Sequence, residues 1–278
     1  MDIRALIRGE VLAQKAYPVD NTSCRIKLDA NENPLAMPEE LREQFAVLLA
    51  SVPLNRYPEA GSIALTSRFA KAFGVDADQV MIGNGSDELI QILYTALARP
   101  GAEVMIPVPT FAMYRISGLN NGFRIAEVPL DSQFDLDLAA MRERAASQPP
   151  VLTFLAYPNN PTGNCFSRER IEAILREFPD IVVVDEAYFH FAQQTFLPLL
   201  GRQENLVILR TLSKVGLAAL RVALLIGPAP LVHELNKVRL PYNLNSLSQA
   251  AAGFYLDNEG AFLEPAAKIR EWRGELTS

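Results

Sequence analysis

Short apolar runs rich in Val, Ile and Leu alternate with amphipathic stretches over the middle of the chain. The runs end at Gly, Pro or charged residues, which is typical of buried strands. In the stretches between them, apolar residues recur every three or four positions, as on the inward face of a helix. This alternation predicts an α/β fold in which a mostly parallel central sheet carries helices on both faces.

The same pattern assigns the individual elements. The predicted strands are residues 80–83, 103–107, 124–128, 151–156, 181–185, 206–210 and 222–227. The predicted helices are residues 87–98, 112–119, 136–146 and 168–178, with a further helix at 261–275. The chain from residue 228 onward is expected to be helical.

Residues 1–58 differ from the sheet region because they are rich in Asn, Pro and Tyr. Sequences such as Asn31-Glu32-Asn33-Pro34 indicate extended or turning backbone. We therefore expect an N-terminal arm and crossing segment at 1–58, a large α/β domain at 59–258, and the start of an interdomain helix at 259–278.

The helix predicted at 261–275 has no partner visible in the sequence. Its apolar side chains would normally pack against another element, so we expect them to form an exposed apolar patch. The residues concerned are Phe262, Leu263, Ile269, Trp272 and Leu276.

Composition narrows the possible partners. The 278 residues are 49% hydrophobic and carry a net charge of −6, with no long Lys/Arg run, so nucleic acid is not expected as a partner. No uncharged apolar stretch is long enough to span a membrane, and a membrane is not expected as a partner. Cys24 and Cys165 are the only cysteines and lie far apart, so neither a disulfide framework nor a cysteine zinc site is expected, and a reducing cytoplasm fits best. With only two histidines, His190 and His233, no His-rich metal site is expected either.

The sharpest local signal is Thr211-Leu212-Ser213-Lys214, directly after the apolar run at 206–210. The carboxyl ends of parallel strands are where α/β sheets build ligand sites. Thr211 and Ser213 offer hydroxyls to an anion, and Arg221 can return a guanidinium to the same place. Taken alone, Lys214 could equally be a strand-end lysine that reaches solvent.

A carboxylate ends another apolar run, in Asp185-Glu186-Ala187-Tyr188. Burying this charge is costly unless a cation or donor meets it. The protonated pyridine nitrogen of pyridoxal 5′-phosphate (PLP) would be such a partner, and Tyr188 could donate to the ring oxygen of the same cofactor. The alternative is that Asp185 caps the next helix.

Two turns complete the pattern. Asn159-Asn160-Pro161-Thr162-Gly163 follows a strand and would hold the amide of Asn160 at the strand end. Gly83-Asn84-Gly85-Ser86-Asp87 joins a strand to a helix, so the amides at Ser86 and Asp87 could cradle a phosphate. Each turn could also be an ordinary one, but all these strand-end motifs favour the same ligand, PLP.

With these motifs, the chain strongly resembles the fold-type I PLP enzymes, and among them the histidinol-phosphate aminotransferases. The resemblance covers almost the whole chain. The motifs that carry it are Leu28-Asp29-Ala30-Asn31-Glu32-Asn33-Pro34, Arg56-Tyr57-Pro58, Gly83-Asn84-Gly85-Ser86-Asp87-Glu88, Asn159-Asn160-Pro161-Thr162-Gly163, Asp185-Glu186-Ala187-Tyr188 and Ser213-Lys214.

The resemblance implies a role for each matching residue at the cofactor ring. Lys214 would form the Schiff base and move the proton between the substrate Cα and the cofactor. Asp185 would partner the pyridine nitrogen, while Asn160 and Tyr188 would bind the ring oxygen. Phe111 matches the position at which the family stacks an aromatic ring on the pyridine.

The resemblance also implies how the phosphate and the substrate are bound. The residues around the phosphate would be Ser86, Asp87, Thr211, Ser213 and Arg221, with Tyr57 reaching in from a second subunit. A shared site of this kind implies a homodimer. Tyr17 and Asn33 match substrate-side positions in the N-terminal arm.

The activity that the resemblance implies is transamination between L-histidinol phosphate and 2-oxoglutarate, with glutamate as a product, in histidine biosynthesis. An aromatic aminotransferase and a threonine-phosphate decarboxylase are alternatives, since both share the cofactor machinery. The family continues into a small C-terminal domain that supplies arginines to the substrate, and we expect this chain to lack it. A catalytically idle fragment is therefore the remaining alternative.

Overall fold

A seven-stranded sheet forms the centre of the computed structural model, which describes residues 1–16 and 23–277. The strands lie in the order β1-β7-β6-β5-β4-β2-β3. β7 pairs antiparallel with both of its neighbours, and the other pairs are parallel. The strands are β1 (Val80–Asn84), β2 (Glu103–Val108), β3 (Arg124–Pro129), β4 (Leu152–Ala156), β5 (Ile181–Asp185), β6 (Leu206–Thr211) and β7 (Val222–Ile226).

Each predicted strand is present, within one residue at either end. Every residue of β4, β6 and β7 is buried, as expected for strands covered on both faces. At the sheet edge, β3 instead alternates between exposed and buried residues. The α/β fold and the mostly parallel sheet predicted from the sequence are therefore confirmed.

Helices cover both faces of the sheet. One apolar layer contains residues of α3, α6, α7 and α10, and the other contains residues of α4, α5 and α9. The α-helices are α1 (Gly9–Leu12), α2 (Glu39–Ala50), α3 (Ile63–Phe73), α4 (Ser86–Leu97), α5 (Ala112–Asn120), α6 (Leu138–Ser147), α7 (Arg168–Glu177), α8 (Phe189–Ala192), α9 (Ala229–Leu235), α10 (Ser246–Asp257) and α11 (Glu259–Thr277). Within the described ranges, each helix is too short or too polar to cross a membrane.

The helix α2 was not predicted, although its apolar residues have helical spacing. Leu41, Phe45 and Leu48 recur at intervals of three or four and pack against the core. The Phe45 ring lies 5.3 Å from that of Phe254 in α10. The Asn and Pro residues on either side of this segment concealed the helix.

The expectation that α11 lacks a partner is wrong for its first half. Phe262 is 5% exposed and its ring lies 5.5 Å from that of Tyr255 in α10. Ala266 is fully buried, whereas Trp272 and Leu276 further along are exposed. The helix packs against α10 through Phe262 and also contacts α8, so its exposed apolar surface is confined to its last part.

Candidate functional site

A cavity of about 280 Å³ opens where the carboxyl ends of the parallel strands meet. The antiparallel direction of β7 matters here, because it places the residue before the strand, Arg221, at this same edge. Ten of the residues predicted for the cofactor site line the cavity. They are Lys214, Asp185, Tyr188, Asn160, Phe111, Ser86, Asp87, Thr211, Ser213 and Arg221.

Lys214 follows β6 in a short 3₁₀ helix, Leu212–Val215. Its Nζ donates a hydrogen bond to the carbonyl oxygen of Ala30 at 2.9 Å and lies 5.6 Å from the centre of the Tyr188 ring. Burial lowers the pKa of the Lys214 amine, and Arg221 adds to this effect, while the negative charges of Glu32, Asp185 and Asp87 oppose it. A larger fraction of the amine is therefore neutral than in a solvated lysine, and the neutral amine is the nucleophilic form.

Asp185 ends β5 and is 5% exposed. One carboxylate oxygen accepts a hydrogen bond from the Tyr114 hydroxyl at 2.8 Å, and the other accepts from the backbone N–H of Ala187 at 3.0 Å. Burial nevertheless raises the pKa of Asp185 to about 6, with the two hydrogen bonds opposing the rise. A cation facing this carboxylate would stabilise its ionised form.

Glu186 lies on the opposite side of the strand from Asp185 and is also buried. Its carboxylate accepts hydrogen bonds from Arg210 at 2.9 Å and from the backbone N–H of Phe196 at 2.7 Å. Successive residues of a strand point to opposite faces, which explains why these adjacent acids have different environments. Glu186 is internally paired, whereas Asp185 faces the cavity.

Tyr188 and Asn160 approach the cavity from two different turns. The Tyr188 hydroxyl accepts a hydrogen bond from Asn31 Nδ2 at 3.0 Å, and burial raises the pKa of this phenol. Asn160 is held by its neighbour Asn159, whose buried side chain bonds to Pro109, Thr110 and Thr162 at 2.7–3.0 Å. The side chain of Asn159 thus stabilises the turn, and the side chain of Asn160 faces the cavity.

The far side of the cavity offers groups that suit a phosphate. The helix α4 begins at Ser86, so its first amide groups are free of intrahelical partners and face the strand-end edge. Arg221 Nη2 lies 3.0 Å from Asp87 Oδ2, and the hydroxyls of Thr211 and Ser213 lie 2.9 Å apart. Hydroxyl, guanidinium and helix N-terminus together have the chemistry of an anion cradle.

A family model described as aminotransferase class I and II matches residues 25–277. The chain belongs to the class I and II aminotransferases. The match extends over the sheet, the cavity and most of the segment that precedes them, so the site described above lies wholly within the family region.

Individual relatives agree with this assignment. The chain is 43% identical over its whole length to a histidinol-phosphate aminotransferase of Chromobacterium violaceum, of which it spans 78%. It is 45% identical to a second one, from Nitrosococcus oceani, over 97% of this chain and 75% of that protein. A Sinorhizobium meliloti histidinol-phosphate aminotransferase solved in complex with PLP has the same fold, with a TM-score of 0.80 and 23% identity over 89% of this chain and 68% of that one.

The residues of this aminotransferase fit PLP. A buried carboxylate that needs a cation, an amine with a lowered pKa and the anion cradle border the same cavity. PLP carries a protonatable ring nitrogen, an aldehyde and a phosphate, which suit these three features respectively. Phe111 also borders the cavity, with its ring edge-on to Tyr114 at 5.5 Å.

Several cavity residues of the aminotransferase were not predicted. Tyr114 is fully buried and stacks on Phe154 at 4.5 Å, so its spacing in α5 is that of a core residue. Asp29, Ala30 and Asn31 also line the cavity. Their motif was recognised, but no local pattern indicates that this segment reaches the strand ends.

The remaining predicted residues lie elsewhere or are not described. Asn33 is not among the residues that line the cavity: its Oδ1 accepts from the backbone N–H of Leu35, and its Nδ2 is buried without a hydrogen-bond partner in the described part of the chain. Tyr57 is 80% exposed and stacks on Tyr242 at 4.6 Å. Tyr17 lies outside the described residues.

Gly85→Ala is expected to weaken PLP binding by about tenfold or more, the effect of losing a charge-assisted hydrogen bond. Gly85 has φ +82°, and an added Cβ would lie 2.4 Å from Arg221 Nη2, so the guanidinium would be pushed out of the cradle. Gly122→Ala is the matched control, because Gly122 has φ +78° with no atom within 4 Å of the added Cβ. Equal PLP affinities for the two variants, measured by cofactor absorbance, would contradict the assignment of the cradle.

Proposed function

We propose that this chain uses PLP to transfer the amino group of L-histidinol phosphate to 2-oxoglutarate. The products are glutamate and imidazole acetol phosphate. The observation that carries the proposal is that Lys214, Asp185, Tyr188 and Asn160 border one cavity, opposite the N-terminus of α4. The choice of amino donor is supported by relatives at 43% and 45% identity that are named histidinol-phosphate aminotransferases.

When bound, PLP supplies a ring that accepts the electron pair left on the substrate Cα after proton removal. The chain's own part is to move that proton and to stabilise the charge. Lys214 is suited to the proton transfer because burial lowers its pKa, which makes its free amine more available than that of a solvated lysine. The 3₁₀ helix after β6 keeps the amine inside the cavity.

Asp185 provides the negative charge at the strand end. Its carboxylate is buried, and it is oriented by Tyr114 on one side and by the Ala187 N–H on the other. Ionised Asp185 would hold a proton on the ring nitrogen, which increases the electron demand of the ring. Tyr188 and Asn160 would donate hydrogen bonds to the ring oxygen.

An amino-donor panel tests the choice of substrate. Purified protein with PLP is offered histidinol phosphate, aromatic amino acids and threonine phosphate, with 2-oxoglutarate as acceptor. We expect glutamate formation to be fastest with histidinol phosphate. Faster reaction of an aromatic donor, or CO₂ release from threonine phosphate, would support the corresponding alternative, and a lack of turnover with every donor would support an idle protein.

We also propose that the protein is a cytoplasmic homodimer in which Tyr57 of each subunit contacts the phosphate in the other. Tyr57 is exposed and lies outside the cavity lining of its own chain, so contact with another copy would give its hydroxyl a role. Exposed Leu54, Ile63 and Leu240 supply apolar surface to such an interface. Cys24 and Cys165 are both free, which suits a reducing compartment.

Mixed dimers test the contribution of Tyr57. We expect Tyr57→Phe to weaken PLP binding and Lys214→Ala to be inactive, because each removes one part of a shared site. Mixing the two variants should then restore one intact site in each heterodimer, and activity should exceed that of either parent. Subunit exchange must be verified by mass spectrometry, and exchange without any gain in activity would rule out a contribution from the partner subunit.

A further inference from the structure

The segment Asp29–Asn31 closes the cavity beside Lys214 and Tyr188. Asn31 has φ 51°, a left-handed conformation that few residues other than Gly adopt and that Asn tolerates best among them. The carbonyl oxygen of Ala30 accepts from Lys214 Nζ at 2.9 Å, and Asn31 Nδ2 donates to the Tyr188 hydroxyl at 3.0 Å. One backbone turn thus contacts two residues of the reaction site.

The direction of the hydrogen bond at Tyr188 has a chemical consequence. The amide nitrogen of Asn31 can only donate, so the phenol oxygen of Tyr188 is the acceptor. The single hydroxyl proton of Tyr188 is therefore not used in this bond and remains available to donate. Because Tyr188 borders the cavity, this proton could be donated to a ligand oxygen placed there.

We propose that Asn31 is a positioning residue that fixes Tyr188 as a hydrogen-bond acceptor on one side, so that the phenol presents its proton to the cavity. The identity of the oxygen that receives this proton, the ring oxygen of PLP, rests on the proposed function. The orientation of Tyr188 does not rest on that function, because its hydrogen bond from Asn31 involves residues of the chain alone.

Two substitutions separate the hydrogen bond from the backbone conformation. Asn31→Gly removes the amide and keeps the left-handed conformation, which Gly adopts readily. Asn31→Asp keeps the shape and also tolerates this conformation, but it offers an acceptor where Asn31 offers a donor. In that variant Tyr188 would turn its proton toward residue 31 and away from the cavity.

The pKa of Tyr188 in the cofactor-free protein is the first readout. A donor to the phenol oxygen favours the ionised form, and Asn31 accordingly lowers the pKa of Tyr188 against the effects of burial and of Asp185. Lys214 Nζ, a further charge near the ring, lies 5.6 Å from its centre. We expect Asn31→Gly to raise the pKa of Tyr188, and Asn31→Asp to raise it further because it adds a negative charge.

NMR of protein with ring-labelled tyrosine measures this pKa, and Tyr188→Phe identifies the Tyr188 signal. Asn236→Asp is the matched control, since Asn236 is exposed at the end of α9 and bonds only within that helix and to Arg239 among the described residues. The proposal is overturned if the pKa of Tyr188 is the same in both Asn31 variants, the control and the unmodified protein.

The second readout tests the link to PLP. In the Asn31→Asp variant, the pH at which the visible absorbance of bound PLP changes should move, and kcat should fall about five- to tenfold, the effect of one hydrogen bond. A shifted Tyr188 pKa with an unchanged PLP spectrum would overturn the delivery of the proton to the cofactor. Failure of the unmodified protein to bind PLP would instead refute the proposed function, while the Tyr188 titration would still decide the role of Asn31.

Discussion

Lys214→Ala is expected to lose transamination by about four orders of magnitude or more, because proton transfer and covalent attachment both depend on this amine. Among the residues that the structure describes, no other lysine lines the cavity. The fold should be retained, since the replaced amine makes one hydrogen bond, to Ala30, and is partly desolvated at a cost. Steady-state transamination and thermal unfolding measure the two effects separately.

Lys214→Arg and Lys237→Ala are the controls for this experiment. Arg keeps the positive charge but is not a nucleophile at neutral pH, so that variant should be as inactive as Lys214→Ala. Lys237 is exposed and paired with Glu234, and its loss should leave activity unchanged. Borohydride reduction of the PLP-loaded protein followed by peptide mapping should label Lys214, and label on a different lysine would disprove its assignment.

The sheet and most of the cavity could be predicted because both follow from short-range patterns. A strand buried on both faces is mostly apolar, so β4 to β7 are recognisable in the sequence as predominantly apolar runs. The carboxyl ends of parallel strands share one edge, so Asn160, Asp185 and Lys214 could be brought together without knowledge of the strand order. In the structure, these three residues line one cavity at that edge.

The residues that sequence reasoning missed reach the site through long-range packing. Tyr114 has the spacing of a core residue, and its hydrogen bond to Asp185 depends on how α5 lies against the sheet. Asn31 approaches Tyr188 from 157 positions away along the chain. Neither position has a local signal, because the spacing of apolar residues specifies a face of an element but not which polar group it will meet.

Asp185→Asn is expected to have the other large effect on turnover. The sign of its effect on stability distinguishes a functional charge from a helix cap. Asn keeps the size of the side chain but cannot hold a proton on the ring nitrogen of PLP, so kcat should fall by several orders of magnitude, with PLP still bound. The buried carboxylate also has a cost in the cofactor-free protein. Its pKa rises from 3.8 in a solvated carboxyl to about 6.

A raised carboxyl pKa in the folded protein means that the folded state holds its proton more tightly than the unfolded state does. The free energy of unfolding therefore decreases as the pH rises from about 4 to about 6, by about 3 kcal/mol in total, and stays reduced above that range. An asparagine side chain does not ionise, so the Asp185→Asn variant escapes this loss. Part of the gain is offset because Tyr114 and Ala187 donate to different oxygens of Asp185, and in Asn one of these oxygens is replaced by an NH₂ group that cannot accept.

We therefore expect the cofactor-free Asp185→Asn protein to be more stable than the unmodified protein at pH 7, by about 1–2 kcal/mol, with the difference shrinking toward pH 4. Urea unfolding of both proteins at the two pH values measures this difference. Asp137→Asn is a suitable control, because Asp137 caps α6 by accepting from the backbone N–H of Ala140 and Asn caps a helix about as well as Asp, so stability should change little at either pH. If Asp185 were merely a cap, its substitution would behave like that of Asp137 and would leave turnover unchanged.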